Sequence, residues 1–356
     1  MINLNLSEEI ETADKGKILE SIRSLDGQIS QVLEETKAFY LPDSYKDILN
    51  VVVCGMGGSA LGGRIVKALT TPASRIPIEI ITDYTLPYYV GEKTLVILSS
   101  YSGNTEETIS TLSNAQNKGA KIFGVTTGGK LKDLLIEAKL PAYLFNPKNN
   151  PSGQPRMALG YSIAINLVVL AKLGAFNVSE NDLKKAVKTS SKFIKLFDST
   201  VTENENIAKK LAQKLYLKAP ILFASGHLLG IAHAFKNQVN ENSKTFSTLF
   251  DLPEANHHLL EGFGFPKSSK HVFHFLFFES KNYTLNAQKR YPITEDVVKK
   301  EGYEFSVYKT LSKEKLEEIF EILVLGSYLS FYLALLNEID PSQIPWVDYF
   351  KKELAK

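Results

Sequence analysis

From residue 48 to about 147 the chain alternates between short apolar runs and amphipathic stretches. The apolar runs at 49–54, 78–81, 95–98, 121–125 and 142–145 predict strands, the first of them through the β-branched run Val51, Val52 and Val53. Helix-period segments lie between most of them, at Leu61–Leu69, Glu106–Asn117 and Leu131–Ala138. Strands alternating with helices predict a parallel sheet covered on both faces. Ahead of this region, Ile18, Ile22, Leu25, Ile29, Val32 and Leu33 recur at helical spacing, which predicts an amphipathic helix broken near Gly27 and packed on the first domain.

Asn146–Pro155 carries three prolines, three asparagines and Gly153, and reads as a loop or linker. Arg156 follows, then an apolar helix to Lys172, then a lysine-rich helical region over 181–218. From 220 the alternation resumes: a strand at Ile221–Ala224, a turn at Ser225–Gly226, a helix from about His227 to Val239, and strands at 246–250, 272–278 and 305–308. This pattern predicts a second, diverged copy of the first domain. Ile322–Leu336 is fifteen residues without a charge. It falls short of the roughly 20 needed to span a bilayer, and reads as a helix buried on most sides, in the core or at a subunit interface.

Composition narrows the class. The chain has 356 residues, 44% hydrophobic and 22% charged, as an ordinary soluble protein of two domains has. The formal net charge of +2 gives no nucleic-acid footprint. Cys54 is the only cysteine, so no intrachain disulfide can form. MINLNLSEEIE has neither a basic nor an apolar leader pattern, and the expected location is the cytoplasm.

Two turns hold the candidate chemistry. Gly55, Gly57, Gly58 and Ser59 follow the first strand, and Ser100, Ser102, Gly103 and Thr105 follow Leu95–Leu98, each ahead of a helix. A strand, a tight turn and a helix start leave backbone N–H groups open to an anion. The hydroxyls of the second turn suit a phosphate monoester. Read alone, the first turn is equally an ordinary strand–helix connection, and the second a serine- and threonine-rich N-cap. No P-loop and no dinucleotide fingerprint occurs. No H-E-x-x-H and no Cys/His cluster occurs either, so neither metal nor cofactor is expected.

SYSGNTEET (100–108) after an apolar strand resembles the phosphosugar-binding motif of sugar isomerase (SIS) domains. GMGGSA upstream resembles the start of that domain in the archaeal-type bifunctional phosphoglucose/phosphomannose isomerases. The resemblance continues at NPSGQPRMALGYS (150–162), NQVNENSK (237–244), LPEANHH (252–258) and VDYFKKELA (347–355). It implies an α/β protein with two SIS-type doubly wound, flavodoxin-like parallel-sheet subdomains and helices at both ends. The division expected is an N-terminal helical segment 1–45, a first SIS domain 46–155 holding the phosphate, connecting helices 156–200, a second SIS domain 201–340, and a tail 341–356. The implied activity is interconversion of glucose 6-phosphate, and of mannose 6-phosphate, with fructose 6-phosphate through a cis-enediol, without a metal.

Such a reaction needs a phosphate anchor, ring opening, a base between C1 and C2, and charge to hold the enediolate. Gly57, Gly58, Ser59, Ser100, Ser102 and Thr105 are the candidate anchor. Glu241 matches the position of the family's base, although by itself it reads as a solvated glutamate at a helix end. His257 is the candidate for ring opening. The family shows one histidine and then asparagine here, where this chain has His258, so either could act. The resemblance implies that this histidine comes from the partner of a homodimer. Arg156 would face the enediolate oxygens, since a guanidinium is always charged and forked. Lys351 resembles a C-terminal lysine that assists ring opening, with Lys352 beside it. Two other readings fit an SIS domain: a regulator that binds phosphosugar without turnover, and an aminosugar-phosphate isomerase or deaminase.

Overall fold

The computed structural model describes residues 2–354, so the last two positions of the tail expected at 341–356 lie outside the described residues. The elements run in order as α1 Ser7–Ala13, α2 Ile18–Arg23, α3 Leu25–Glu35, β1 Asn50–Cys54, α4 Gly58–Thr70, β2 Ile78–Ile81, β3 Thr94–Ser99, α5 Glu106–Asn117, β4 Lys121–Thr126, α6 Gly129–Glu137 and β5 Ala142–Leu144. The second half continues with α7 Leu159–Lys172, α8 Glu180–Phe197, α9 Ile207–Leu215, β6 Ala219–Ala224, α10 Leu229–Asn242, β7 Thr248–Asp251, α11 Ser269–Val272, β8 Phe273–Glu279, α12 Leu285–Lys300, β9 Glu304–Lys309, α13 Lys315–Leu336 and α14 Pro345–Leu354.

The first sheet is parallel throughout, with strand order β2-β1-β3-β4-β5. Its strands bury both faces. Val51, Val53, Leu95, Ile97 and Phe123 join one core cluster with Leu61 and Ile65 of α4, while Val52, Val96, Leu98 and Ile122 join another with Leu112 of α5 and Leu131 of α6. Two-sided burial is why these strands read as unbroken apolar runs. The second sheet, β7-β6-β8-β9, is also parallel and repeats that order with one strand fewer. Stacked Phe223 and Phe277, 4.9 Å apart, fill its centre.

In both sheets the strand order reverses between the first strand and its second neighbour in sequence. The crevice at that point, outside the carboxyl ends, is where open α/β sheets hold ligands. It lies between β1 and β3 in the first sheet, and both glycine- and hydroxyl-rich turns stand there.

The structure corrects three details of the sequence reading. Gly27 lies inside α3, and the N-terminal helix breaks instead at Asp14–Lys17 and at Ser24. Asp14 accepts from the amides of Ile18 and Leu19, which starts α2 afresh. Glu241 lies in the last turn of α10, not beyond the helix. The long apolar helix, α13, is buried by the chain's own α2, α8, α9 and α10 and not by a subunit interface. It is the one helix among the described residues long and apolar enough to cross a membrane, and its apolar window is wholly buried.

Candidate active site

The two turns are tied to each other. The Tyr101 amide donates to Ser59 Oγ at 3.0 Å, and Ser99 Oγ donates to the Ser59 carbonyl at 2.8 Å. Gly57 has φ +50°, and no side chain caps α4, which starts at Gly58. In the second turn Gly103 has φ +71°, and a Cβ there would meet the Gly128 carbonyl at 1.7 Å. Only glycine fits such a position.

Thr105 is the N-cap residue of α5, yet its hydroxyl does not cap the helix. It pairs with Ser100 Oγ at 2.8 Å, and the Gly103 amide donates to Ser100 Oγ at 3.1 Å. The first-turn amides of α5 therefore have no side-chain cap, which suits an anion at the helix dipole. Ser100 is buried at the floor of the turn and Ser102 exposed at its rim, where Ser102 Oγ accepts from the Asn104 amide at 3.3 Å.

Arg156 lies close beside the first turn. A Cβ on Gly58 would approach the Arg156 nitrogen to 3.0 Å, so the start of α4 rests on the 3-10 turn Pro155–Met157. The Arg156 side chain is buried, and every guanidinium nitrogen has a partner. Nε donates to Asn242 Oδ1 at 2.5 Å, Nη1 to Gln154 Oε1 at 2.8 Å, and Nη2 to the carbonyls of Pro341 at 2.8 Å and Ser342 at 3.2 Å. Nη1 also stands 3.6 Å from Glu241 Oε2. The structure thus joins Arg156 to Glu241, although 84 residues lie between them in the sequence.

Charge and burial oppose each other in this pair. Burial raises the Glu241 carboxyl above its usual value, and Arg156, Lys351 and Lys244 pull it back. Burial lowers the Arg156 guanidinium, with Glu241 and Asp340 acting the other way. Lys244, pinned by the carbonyls of Asn242 at 3.2 Å and Asp340 at 2.9 Å, is pushed down to about 8 by burial and then by Arg156.

Lys351 lies on α14, exposed; its charge acts on Glu241, but no hydrogen bond joins them. His257 ends the short 3-10 turn Glu254–His257 that follows β7. Its side chain is exposed and makes no hydrogen bond or ion pair, and His258 beside it contacts the Phe250 ring. Within one chain neither histidine bonds to the Arg156–Glu241 pair. Asn242, Gln154 and Lys244, which hold the pair in place, escaped the sequence reading. All three lie in the stretches that resemble the family, but nothing in an asparagine or glutamine by itself marks it as the partner of a buried arginine.

Comparison with known proteins places the chain in a family. Residues 204–354 match the family described as the bacterial phospho-glucose isomerase C-terminal SIS domain. The bifunctional phosphoglucose/phosphomannose isomerase of Caldicellulosiruptor bescii is 36% identical over 95% of this chain and 99% of its own. That of Thermoplasma volcanium is 30% identical over 86% and 91%. Among solved structures, the C-terminal domain of glucosamine-fructose-6-phosphate aminotransferase from Francisella tularensis superimposes with a TM-score of 0.70, covering 93% of this chain and 98% of that one at 13% identity, a likeness of fold. The chain belongs to the bifunctional phosphoglucose/phosphomannose isomerase family.

Proposed function

We propose that this protein is a metal-independent aldose–ketose isomerase that interconverts glucose 6-phosphate and mannose 6-phosphate with fructose 6-phosphate through a cis-enediolate. The observation that carries this reading is the buried Arg156–Glu241 pair set against the turn at Gly58. The phosphate would sit on the amides at Gly57 and Gly58 and on the hydroxyls of Ser59, Ser100, Ser102 and Thr105. Glu241 would then move one proton between C1 and C2. Burial supports the role, because a carboxyl raised toward neutrality both takes and returns a proton readily. Arg156 would hold the enediolate oxygens with a charge that four neighbours keep in place. That fixed charge supplies what a Lewis acid would otherwise provide.

Ring opening would fall to the partner subunit's His257, with Lys351 assisting. The exposure of His257 and its lack of partners within the chain support a homodimer with a shared site. The domains would divide as 1–45, 46–155, 156–200, 201–340 and 341–356, and the enzyme would work in the cytoplasm. A coupled assay in excess EDTA on the three sugar phosphates and on glucosamine 6-phosphate, with a parallel binding titration, tests the reading. Turnover of both aldose phosphates is expected. Binding without turnover would make the protein a regulator, and activity confined to glucosamine 6-phosphate would make it an aminosugar enzyme. Either result defeats the proposal.

A further inference from the structure

We propose that the second domain carries a separate ligand site, for a small hydroxylated primary amine, in the cavity between helix α12 and the carboxyl ends of β8 and β9. The cavity measures about 350 Å³, inside the range of roughly 300–1,000 Å³ of small-molecule sites. It opens at the carboxyl edge of the sheet, beside the point between β6 and β8 where the strand order reverses. Its lining comes from three elements: Glu279 ends β8, Lys309 ends β9, and Gln288, Tyr291, Pro292 and Glu295 form one face of α12.

The ligand class follows from which polar groups are already engaged. Lys309 Nζ is held by Glu279 at 3.0 Å. Gln288 Nε2 donates to the carbonyls of Lys281 and Tyr283 at 3.1 and 2.8 Å, and the Tyr291 hydroxyl donates to Ser225 Oγ at 3.1 Å. Ser280 and Thr310 at the rear both donate to the buried Glu318. Acceptors, in contrast, are open. Glu295 Oε1 is buried with no donor group, and its carboxyl faces that of Glu279, a second acceptor when both are ionised. Pro292 has no N–H, so the Gln288 carbonyl loses its intrahelical donor. A ligand must therefore bring donors. Inside the cavity two carboxylates face Lys309 alone, since Lys281 stands exposed at the rim and its charge does not act on Glu295; the donor that also settles the charge is therefore an ammonium group, with hydroxyls filling the rest.

Burial and the neighbouring Glu279 raise the Glu295 carboxyl to about 7, against the pull of Lys309. The charged and titratable groups around it are Glu279 from β8, Lys309 from β9, Tyr291 of its own helix, Tyr283 of the loop after β8 and Lys281 at the rim. A bound ammonium favours the ionised carboxylate, so affinity should rise by up to about tenfold between pH 6 and 8. The site shares no residue with the phosphate turns or the Arg156–Glu241 pair, so its failure would leave the proposed activity untouched.

The test is a calorimetric titration of the whole protein, in amine-free buffer, with 1-amino-1-deoxyglucitol and with glucitol, which differ only in carrying an amine or a hydroxyl. The amine should bind at least about tenfold more tightly, and saturating fructose 6-phosphate should not displace it. Glu295→Gln and Glu279→Gln should each weaken it by about tenfold or more and leave fructose 6-phosphate turnover unchanged. No binding of the amine, equal binding of glucitol, or unaltered affinity in both variants with an unchanged circular dichroism spectrum overturns the proposal.

Discussion

Arg156 Nη1 stands 3.6 Å from Glu241 Oε2, and the two side chains differ sharply in exposure, at 1% and 30%. The arginine is a fixed part of the interior, while the glutamate keeps an open edge. That asymmetry is what a base beside a permanent cation requires: the cation stays put and the carboxylate reaches the substrate. Replacing Glu241 by Gln should keep the fold and lower kcat by roughly 100-fold or more, as loss of a general base does, with little change in KM. Steady-state kinetics with fructose 6-phosphate and a thermal melt would check both halves.

The acid limb of the pH–rate profile should lie above 4.5, because burial raises Glu241 and the base must be ionised to act. Lys244 is one of the cations opposing that rise. Lys244→Met should therefore move the limb to higher pH and leave the plateau rate largely intact. For folding the sign is opposite to that of a salt-bridged carboxylate. A raised native pKa means that Glu241 disfavours the folded state as pH climbs from 4.5 through its native value.

Ser100→Ala and Thr105→Val should raise KM for sugar phosphates more than they lower kcat, because in the proposed function their hydroxyls would hold the phosphate, a group remote from the reacting carbons. A hydrogen bond to a charged group contributes about 1.5–3 kcal/mol, so each change should raise KM by roughly 10- to 100-fold. An equal fall in kcat with KM unchanged would place the phosphate elsewhere.

Two glycines make a matched test of the turns. Gly57→Ala meets nothing within 4 Å and bears only the backbone strain of φ +50°, ψ −127°, about 1–3 kcal/mol. Gly103→Ala at φ +71° also drives its methyl into the Gly128 carbonyl. It should lower Tm by clearly more than Gly57→Ala does, and weaken substrate binding as well.

A mixture of Glu241→Gln and His257→Ala proteins, each inactive alone, should regain about a quarter of wild-type activity after co-refolding. Random pairing makes half the dimers mixed, each with one complete site. A site built from one chain would give no recovery, since every protomer would carry one defect.

Glu318 accepts from Ser280 and Thr310 and pairs with His227 Nε2 at 2.5 Å, buried beneath the second sheet's crevice. Despite burial, these bonds hold its carboxyl below the usual value. Its stabilisation is thus present above the unfolded pKa and lost as pH falls through the native one. A hydrogen bond to a charged group contributes about 1.5–3 kcal/mol, so His227→Leu should lower Tm at pH 7 and less at low pH.

The sequence by itself determined both sheets and their strands, because burial on two faces forces unbroken apolar runs and the turns between them require glycine. It also marked the two turns proposed to hold the phosphate, where glycine conformation and hydroxyl chemistry fall on neighbouring residues. Where the N-terminal helices break was not legible, since Asp14 capping two amides outweighs the poor helix propensity of Gly27. Nor was the meeting of Arg156 with Glu241, or the hold that Asn242, Gln154 and the carbonyls of Pro341 and Ser342 keep on the guanidinium. Those contacts join residues far apart in the chain. Local pattern carries no information about which distant groups a packed interior sets side by side, and only the tertiary structure decided that.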